Sequence, residues 1–431
     1  MLKRLFNSRF IRDAQNLVSG AVIAQLIALL ISPVLTRLFT PQDFGVFSLL
    51  LSAIAITTVF SSLRLDLVIP KVESRLKAIN MFQGIVILSI FVAVIALIII
   101  ALFKTQISDT TETLKHAEST LFVFPLLIIA NGIFLGIRAY SIREGRFDKL
   151  GKAQILRACS MAVFWLAIGF VIHQSPPGLI LASGHALGQF LFLFYLLCYT
   201  SPAESKRLSH FDKSKISAAI QSEQSLISSV AASQLISAIH QRLPMICIAI
   251  LFDPVFAGYY ALAERVVTSP AQMACLAIAD VFRQRAAKMH NSQQSFVSLQ
   301  TKTIMLAAGL AIPVFSAAVF VVPQNIGFLF GSEWQAATST IAIVLVSSGC
   351  AFVSETISGT AVILNAKKYI LAWHTFRLLS ISSVCLYAFI TNAGYETFII
   401  LIAICKILAY VIDATTMTQI SRSQSYAAKE L

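Results

Sequence analysis

The sequence predicts an all-α, polytopic membrane protein of about twelve transmembrane helices in two six-helix halves. Three observations predict it: the composition, the spacing of the apolar runs, and the placement of the basic residues. Of 431 residues, 57% are hydrophobic and only 12% charged, against roughly 25% charged in soluble domains. The mean hydropathy is +0.80. A water-soluble chain of this length needs far more polar surface to cover its core, so the apolar surface here faces lipid.

A spanning helix needs roughly 20 apolar residues. Apolar runs bounded by charges or by Pro and Gly place spans at 15–36, 44–63, 79–102, 120–137, 153–173, 178–199, 226–251, 256–280, 303–323, 337–364, 369–391 and 396–418. The run 79–102 carries no charge, whereas 226–251 contains His240, Gln241 and Arg242. The N-terminal segment Met1–Phe10 is basic and amphipathic and reads as a short interfacial helix. The run behind it is too long for a signal-peptide core and lacks a small-residue cleavage site, so it is expected to stay as the first span.

The loops then test the orientation. Lys and Arg collect on the cytoplasmic side of membrane proteins. With a cytoplasmic N-terminus, 26 basic residues fall in inside segments, and only Arg37, Lys104 and Lys115 fall outside. A miscounted helix would invert every later loop and mix the two sets. Both termini are therefore expected in the cytoplasm. The net charge of +13 reflects topology and attraction to anionic lipid. Spread over seven loops, it forms no nucleic-acid patch.

Near the midpoint the polar stretch 201–223 reads as a linker, dividing the chain into 1–222 and 223–431. A short signature recurs across that divide. Phe39-Thr-Pro41-Gln-Asp43-Phe-Gly45-Val-Phe47 and Phe252-Asp-Pro254-Val-Phe-Ala-Gly258-Tyr-Tyr260 both read F-x-P-x-x-x-G-x-aromatic. Pro suits the first turn of a helix, where its missing N–H would be unpaired anyway. Gly allows close helix approach. Because both turns face the same side of the membrane, they imply parallel repeats about an axis along the membrane normal, an arrangement frequent in transporters.

Four basic residues, Arg242, Arg265, Arg377 and Lys406, lie within spans. Each sits nine to ten residues from a helix end, about 15 Å deep at 1.5 Å rise per residue. A Lys or Arg at that depth costs roughly 2.5–3.5 kcal/mol when it faces lipid, so the four must face water or partners. The carboxylates Glu264, Asp280, Glu355 and Asp413 are candidates for pairing or for ion coupling. Lys406 and Asp413, seven apart, share a helix face and are expected to pair directly or through water. Arg242 and Arg265 lie at matching depth on consecutive helices. Either they line one cavity as an anion site, or they pair with Glu264 and backbone. Guanidinium forks match phosphate oxygens. Arg64 with Asp66, at the inner end of the second span, either contacts head groups or anchors the helix at the interface.

Other chemistry is absent from the sequence. The seven cysteines lie in apolar stretches with no C-x-x-C spacing, as packing residues do. No Walker A, G-x-G-x-x-G, H-E-x-x-H or nucleophile-elbow motif is present. No enzyme activity, metal or cofactor is expected.

The run Asn16-x-x-x-Gly20, Gln25, Pro33-Val-Leu-Thr-Arg37-Leu-Phe-Thr-Pro41-x-Asp43-Phe44-Gly45 resembles the opening of the bacterial polysaccharide-biosynthesis oligosaccharide flippases of O-antigen type. Leu63-Arg64-Leu65-Asp66-Leu67-Val68-Ile69-Pro70 resembles their next signature, as do Gly258 to Arg265 through Pro270 and Phe330-Gly331-x-Glu333-Trp334. That family is similar to the multidrug/oligosaccharidyl-lipid/polysaccharide exporters, whose two six-helix bundles flank a central cavity. The resemblance implies a flippase that carries repeat oligosaccharides on undecaprenyl pyrophosphate from the inner to the outer leaflet of the bacterial inner membrane. The basic residues within and beside the spans, Arg242, Arg265, Arg377, Lys406 and Arg64, are the expected substrate ligands. A polysaccharide polymerase and a chain-length regulator would be its partners. A multidrug cation exporter of the same superfamily, or a membrane glycan polymerase or ligase, are the alternatives. The four basic residues inside spans disfavour the first alternative, and the absence of a sizeable outer loop disfavours the second.

Overall fold

A computed structural model describes residues 9–108, 112–171 and 177–427, and helices with short turns make up all of their regular structure. The expected interfacial helix at the N-terminus falls almost wholly outside them. Among the described residues twelve long helices follow one another. α1 is Arg9–Leu38, α2 Pro41–Ser62, α3 Arg75–Ser108, α4 Phe124–Arg143, α5 Phe147–Val171 and α6 Pro177–Leu197. α7 is Gln224–Leu251, and α8 is built from Pro254–Ala263, a π turn at Glu264–Thr268 and Ser269–Asn291. α9 is Val297–Gln324, α10 Thr338–Glu355, α11 Lys367–Thr391 and α12 Tyr395–Ala427.

Eleven segments are long and apolar enough to cross a membrane. They match the expected spans except for α8. That helix is long enough, but the π turn divides it, and its second part carries Gln272, Asp280, Arg283, Gln284 and Arg285. The polar face lowers its hydropathy without shortening it.

The recurring signature is a helix start in both places. Thr40 caps α2: its hydroxyl accepts from Asp43 N at 3.3 Å, while Asp43 Oδ2 accepts from Thr40 N at 2.8 Å, and Pro41 opens the first turn. Asp253 caps α8 by accepting from Val255 N at 2.9 Å, with Pro254 following. Gly45 and Gly258 are buried in the second turn of each. These reciprocal caps satisfy amide groups that a helix start leaves unpaired.

The chain separates into two compact units, residues 1–242 and 243–431. The same neighbour pattern occurs in each, six helices apart. In the first unit α3 packs on α4, α4 on α6, α5 on α6 and α2 on α4; in the second, α9 packs on α10, α10 on α12, α11 on α12 and α8 on α10. This repetition is the tertiary counterpart of the repeated signature. Within the first unit, α1 and α5 cross so closely that a Cβ on Gly20 would lie 2.3 Å from Gly151 Cα. Only paired glycines allow that approach.

The sequence reading divides the chain at 222/223, whereas the two units meet at 242/243, inside α7. Both divisions leave the linker helices Pro202–Ser209 and Lys213–Gln221 with the first unit, to which they are held. Gln83 Nε2 of α3 donates to the carbonyls of Arg207, Leu208 and His210 at 3.0, 3.2 and 2.9 Å. Lys77 Nζ pairs with Glu223 at 2.6 Å. Glu204, with 3% of its side chain exposed, accepts from Tyr140 Oη at 2.7 Å and pairs with Arg146 at 2.7 Å and Arg75 at 3.0 Å. Ile216 and Ala219 are buried in the same packing.

Burial alone would push the Glu204 carboxyl up. The hydrogen bonds from Tyr140 and Arg146, with the charges of Arg146 and Arg75, outweigh it and hold the carboxyl below the usual glutamate range. Removing one partner of such a buried network leaves the other charges uncompensated, which costs about 3–5 kcal/mol. Glu204→Ala is therefore expected to lower the unfolding temperature of the detergent-purified protein markedly, and Glu204→Gln by less, about 1.5–3 kcal/mol. A carboxyl depressed on folding contributes stability above its unfolded value of 4.5 and loses it as pH falls through the folded value. Melting temperatures should therefore drop below about pH 4.5 in the wild type, with a shallower drop in Glu204→Gln.

Candidate functional site

In the first unit the site is assembled where α2 stops. Leu63 and Arg64 both adopt left-handed backbone angles, φ 44° and 56°, a conformation that side chains other than glycine enter at a cost. Ser62 Oγ accepts from Arg64 N at 3.1 Å and steadies the bend. The short helix Leu65–Val68 then turns Asp66 back, so that Arg64 Nε lies 3.7 Å from Asp66 Oδ1. Burial raises the Asp66 carboxyl above its usual range, against the downward pull of Arg64, the Ser62 hydroxyl and Arg138.

Two arginines that the span assignment left among the inner-loop basic residues join this pair. Arg138 of α4 is near enough for its charge to act on both Asp66 and Arg157. Arg157 of α5 lies with its guanidinium 5.1 Å from the centroid of the Phe134 ring. That ring is one turn before Arg138 on α4 and packs 4.6 Å from Phe192 of α6. The Nε atoms of Arg64, Arg138 and Arg157 are all buried and make no hydrogen bond among the described residues. Buried donors are ordinarily paired, so three buried Nε donors without a hydrogen bond, one of them facing Asp66 at 3.7 Å, give this region an affinity for an anion.

A polar track continues from Arg157 across three helices. The charge of Arg157 reaches His185 on α6. Gln189 Nε2 sits 3.0 Å from His185 Nε2 and donates to Asn131 Oδ1 at 3.1 Å. Asn131 Nδ2 of α4 donates to Thr58 Oγ1 of α2 at 2.5 Å. Away from the Glu204 network, the described residues of this part of the first unit thus bring Arg64, Arg138 and Arg157 together with the carboxylate Asp66 and a row of neutral hydrogen-bonding groups.

The second unit gathers five of the residues singled out in the sequence. Tyr410 Oη donates to Glu355 Oε1 at 3.1 Å, and Arg377 Nη2 reaches Tyr410 Oη at 3.4 Å. The Arg377 guanidinium lies 5.6 Å from the ring centre of Trp373 and 5.4 Å from that of Tyr410. Lys406 Nζ donates to Tyr260 Oη at 3.1 Å, and the charges of Glu264, Arg377 and Glu355 act on it. Asp413 accepts from Ser354 and Tyr369, both at 2.8 Å. Beside them a cavity of about 40 Å³, lined by Gln272, Ser347, Glu355, Lys406 and Tyr410, has room for more than one water, which needs roughly 10–15 Å³.

Two expectations change here. Lys406 and Asp413 take different partners, Tyr260 and the Ser354–Tyr369 pair, because seven residues separate them by about 10 Å along the axis. Asp280 does not join the cluster. It is exposed and pairs with Arg283 one turn on, at 3.2 Å. Arg242 is half-buried on α7, within the first unit, and Arg265 half-buried in the π turn of α8, within the second. Such π turns recur at functional sites.

Arg157 and Arg377 occupy equivalent places, each the eleventh residue of the fifth helix of its half. Aligning the two halves by helix order reveals Arg157, which the basic-loop reading hides. Arg138 carries no comparable signal, since it lies five residues from a helix end rich in arginine. The charge around the equivalent pair differs. Arg157 has Arg138 for a neighbour, whereas Arg377 has Glu355.

No curated protein sequence matches this chain. Among solved structures, the lipid II flippase MurJ in an inward closed conformation matches with a TM-score of 0.69 at 12% identity, over 95% of this chain and 91% of the other. An inward-facing multidrug resistance MATE family transporter of the MOP superfamily matches with a TM-score of 0.63 at 13% identity, over 96% of each chain. A MOP superfamily transporter from Pyrococcus furiosus Vc1, described as having a binding pocket of reversed polarity, gives 0.51 at 13% identity over 97% of this chain and 96% of the other. At these identities the likeness is one of fold. A family model described as polysaccharide biosynthesis protein covers residues 34–339, which is most of the chain, and the protein belongs to that family.

Proposed function

We propose that the protein is a flippase for undecaprenyl-pyrophosphate-linked oligosaccharide repeat units, moving them from the inner to the outer leaflet of the bacterial inner membrane for O-antigen, capsule or exopolysaccharide assembly. The observation that carries the reading is the succession of Arg64, Arg138 and Arg157 in the first unit, linked through Asp66 and through the charge of Arg138, each with a buried Nε that makes no hydrogen bond among the described residues. Guanidinium groups bind phosphate through paired N–H donors, and the surrounding apolar helices strengthen that attraction. The row His185, Gln189, Asn131 and Thr58 offers hydrogen-bonding groups of the kind that sugar hydroxyls match. Membership of a polysaccharide-biosynthesis family and a fold shared with a lipid II flippase support the same reading.

The second unit is assigned the coupling role. Its cations Arg377 and Lys406 are balanced by Glu355, Asp413 and Glu264, and its tyrosines link these groups into a network that can exchange protons or a cation with the neighbouring water-sized cavity. Arg242 and Arg265 remain candidate ligands on α7 and α8. Alternating access is the mechanism, with both termini in the cytoplasm, a placement that the 26 to 3 division of basic residues supports. A polysaccharide polymerase and a chain-length regulator would take over the product. A cation exporter is disfavoured, because three arginines against one carboxylate repel its substrate.

Replacing Arg138 and Arg157 together by Ala is expected to abolish surface polysaccharide while the protein remains in the membrane at normal level. Lipid-linked repeat units should accumulate on the cytoplasmic leaflet. Normal surface polysaccharide in this variant would remove the anion site. Glu355→Gln is expected to slow transport and to flatten its dependence on an ion gradient in proteoliposomes, whereas Asp280→Asn, on an exposed surface, should do neither.

A further inference from the structure

Asp66 stands out as a carboxylate placed inside a site built for an anion. It is 9% exposed. It lies 3.7 Å from Arg64, accepts weakly from Ser62 Oγ at 3.4 Å and feels the charge of Arg138. No other carboxylate takes part in this cluster among the described residues. At 3.7 Å the Arg64–Asp66 contact is an ion pair without a hydrogen bond. Arg64 is thus held in register but keeps its donors available.

An anionic ligand entering here meets Arg64 and Arg138, with Arg157 in charge reach of Arg138, and must share Arg64 with Asp66. Such a carboxylate does two opposing things. It offsets part of the cationic charge of Arg64 and Arg138 while the site is empty, which lowers the cost of drawing them out of water. It also repels the incoming phosphate and competes for Arg64, which weakens binding. A carrier that bound diphosphate through three desolvated arginines without such a competitor would release it slowly, because affinity differences act mostly on the off-rate.

We propose that Asp66 is a built-in competitor that sets the anion affinity of the Arg64–Arg138–Arg157 site and takes Arg64 back when the diphosphate leaves. The proposal rests on the reading of that cluster as the diphosphate site. Asp66 acts through Arg64 and so is a positioning residue. The strained backbone at Leu63 and Arg64 and the cap from Ser62 hold the two side chains at this separation. A residue that merely anchored Arg64 would lower affinity when neutralised; a competitor raises it.

The test measures inorganic pyrophosphate binding by titration calorimetry to the purified protein in nanodiscs of zwitterionic lipid. Asp66→Asn is expected to bind at least about ten-fold more tightly than wild type, since a negative charge within several ångströms of the ligand is removed. Asp66→Glu, which keeps the charge, should stay close to wild type, and thermal melting checks that each variant is folded. In proteoliposomes Asp66→Asn should also turn over more slowly with lipid-linked substrate. Unchanged or weaker pyrophosphate binding in folded Asp66→Asn, alongside loss of binding in Arg138→Gln, would overturn the competitor role and leave the anion site standing. Absence of pyrophosphate binding in the wild type, or binding indifferent to Arg64→Gln, Arg138→Gln and Arg157→Gln, would overturn the anion site and the competitor together.

Discussion

A guanidinium or ammonium group in hydrocarbon costs roughly 2.5–3.5 kcal/mol at the centre of a span, and this protein places several of them in its helices. Most of its polar architecture answers that cost. In the second unit the answer is compensation: Arg377 rests against Trp373 and Tyr410, Lys406 against Tyr260, and Glu355 and Glu264 lie within electrostatic reach. In the first unit compensation is incomplete. Among the described residues Asp66 offsets Arg64 and Arg138, while Arg157 has Arg138 for its charged neighbour, and this remaining positive charge is the basis of the proposed anion site.

The same constraint shapes the scaffold. Helices carrying buried cations must turn those faces away from lipid, so α2, α4, α5 and α6 pack with their polar residues toward one another. The contact row Thr58, Asn131, Gln189 and His185 is the result. Exposed side chains are correspondingly apolar, with α3 showing Ile87, Ile90, Phe91, Val94 and Ile98 to its surroundings. Close helix approach at Gly20 and Gly151 then fixes α5, and with it Arg157, against α1.

Repetition explains how two differently charged sites arise on one plan. The second, third, fourth, fifth and sixth helices of each half pack in corresponding pairs, and an arginine occupies the eleventh position of the fifth helix in both. What differs is the neighbouring helix, which carries Arg138 in one unit and Glu355 in the other. One repeated framework thereby carries an arginine-rich interior in the first unit and a charge-balanced one in the second. The Glu204 network adds a further asymmetry, tying the linker helices to the first unit alone.

From the sequence by itself came the membrane class, the number and order of the helices, the repeated helix starts at Pro41 and Pro254, and the family. Each depends on local composition or on short-range hydrogen bonding, which hydropathy and capping residues report directly. Arg377, Lys406, Glu264, Glu355 and Asp413 were also legible, because a charge inside an apolar run is conspicuous. Tertiary structure alone decided which charges meet. Arg138 looked like a loop residue until α4 was seen to run on to Arg143, and Arg157, near the start of the apolar run 153–173, was grouped with the loop charges until α5 was seen to begin at Phe147. Asp280 looked like a member of the interior charge cluster until it proved exposed and paired with Arg283, and Lys406 and Asp413 found partners on other helices. Which face a helix turns inward, and what stands opposite it, depends on packing between segments far apart in the chain, and hydropathy along one segment carries no record of that.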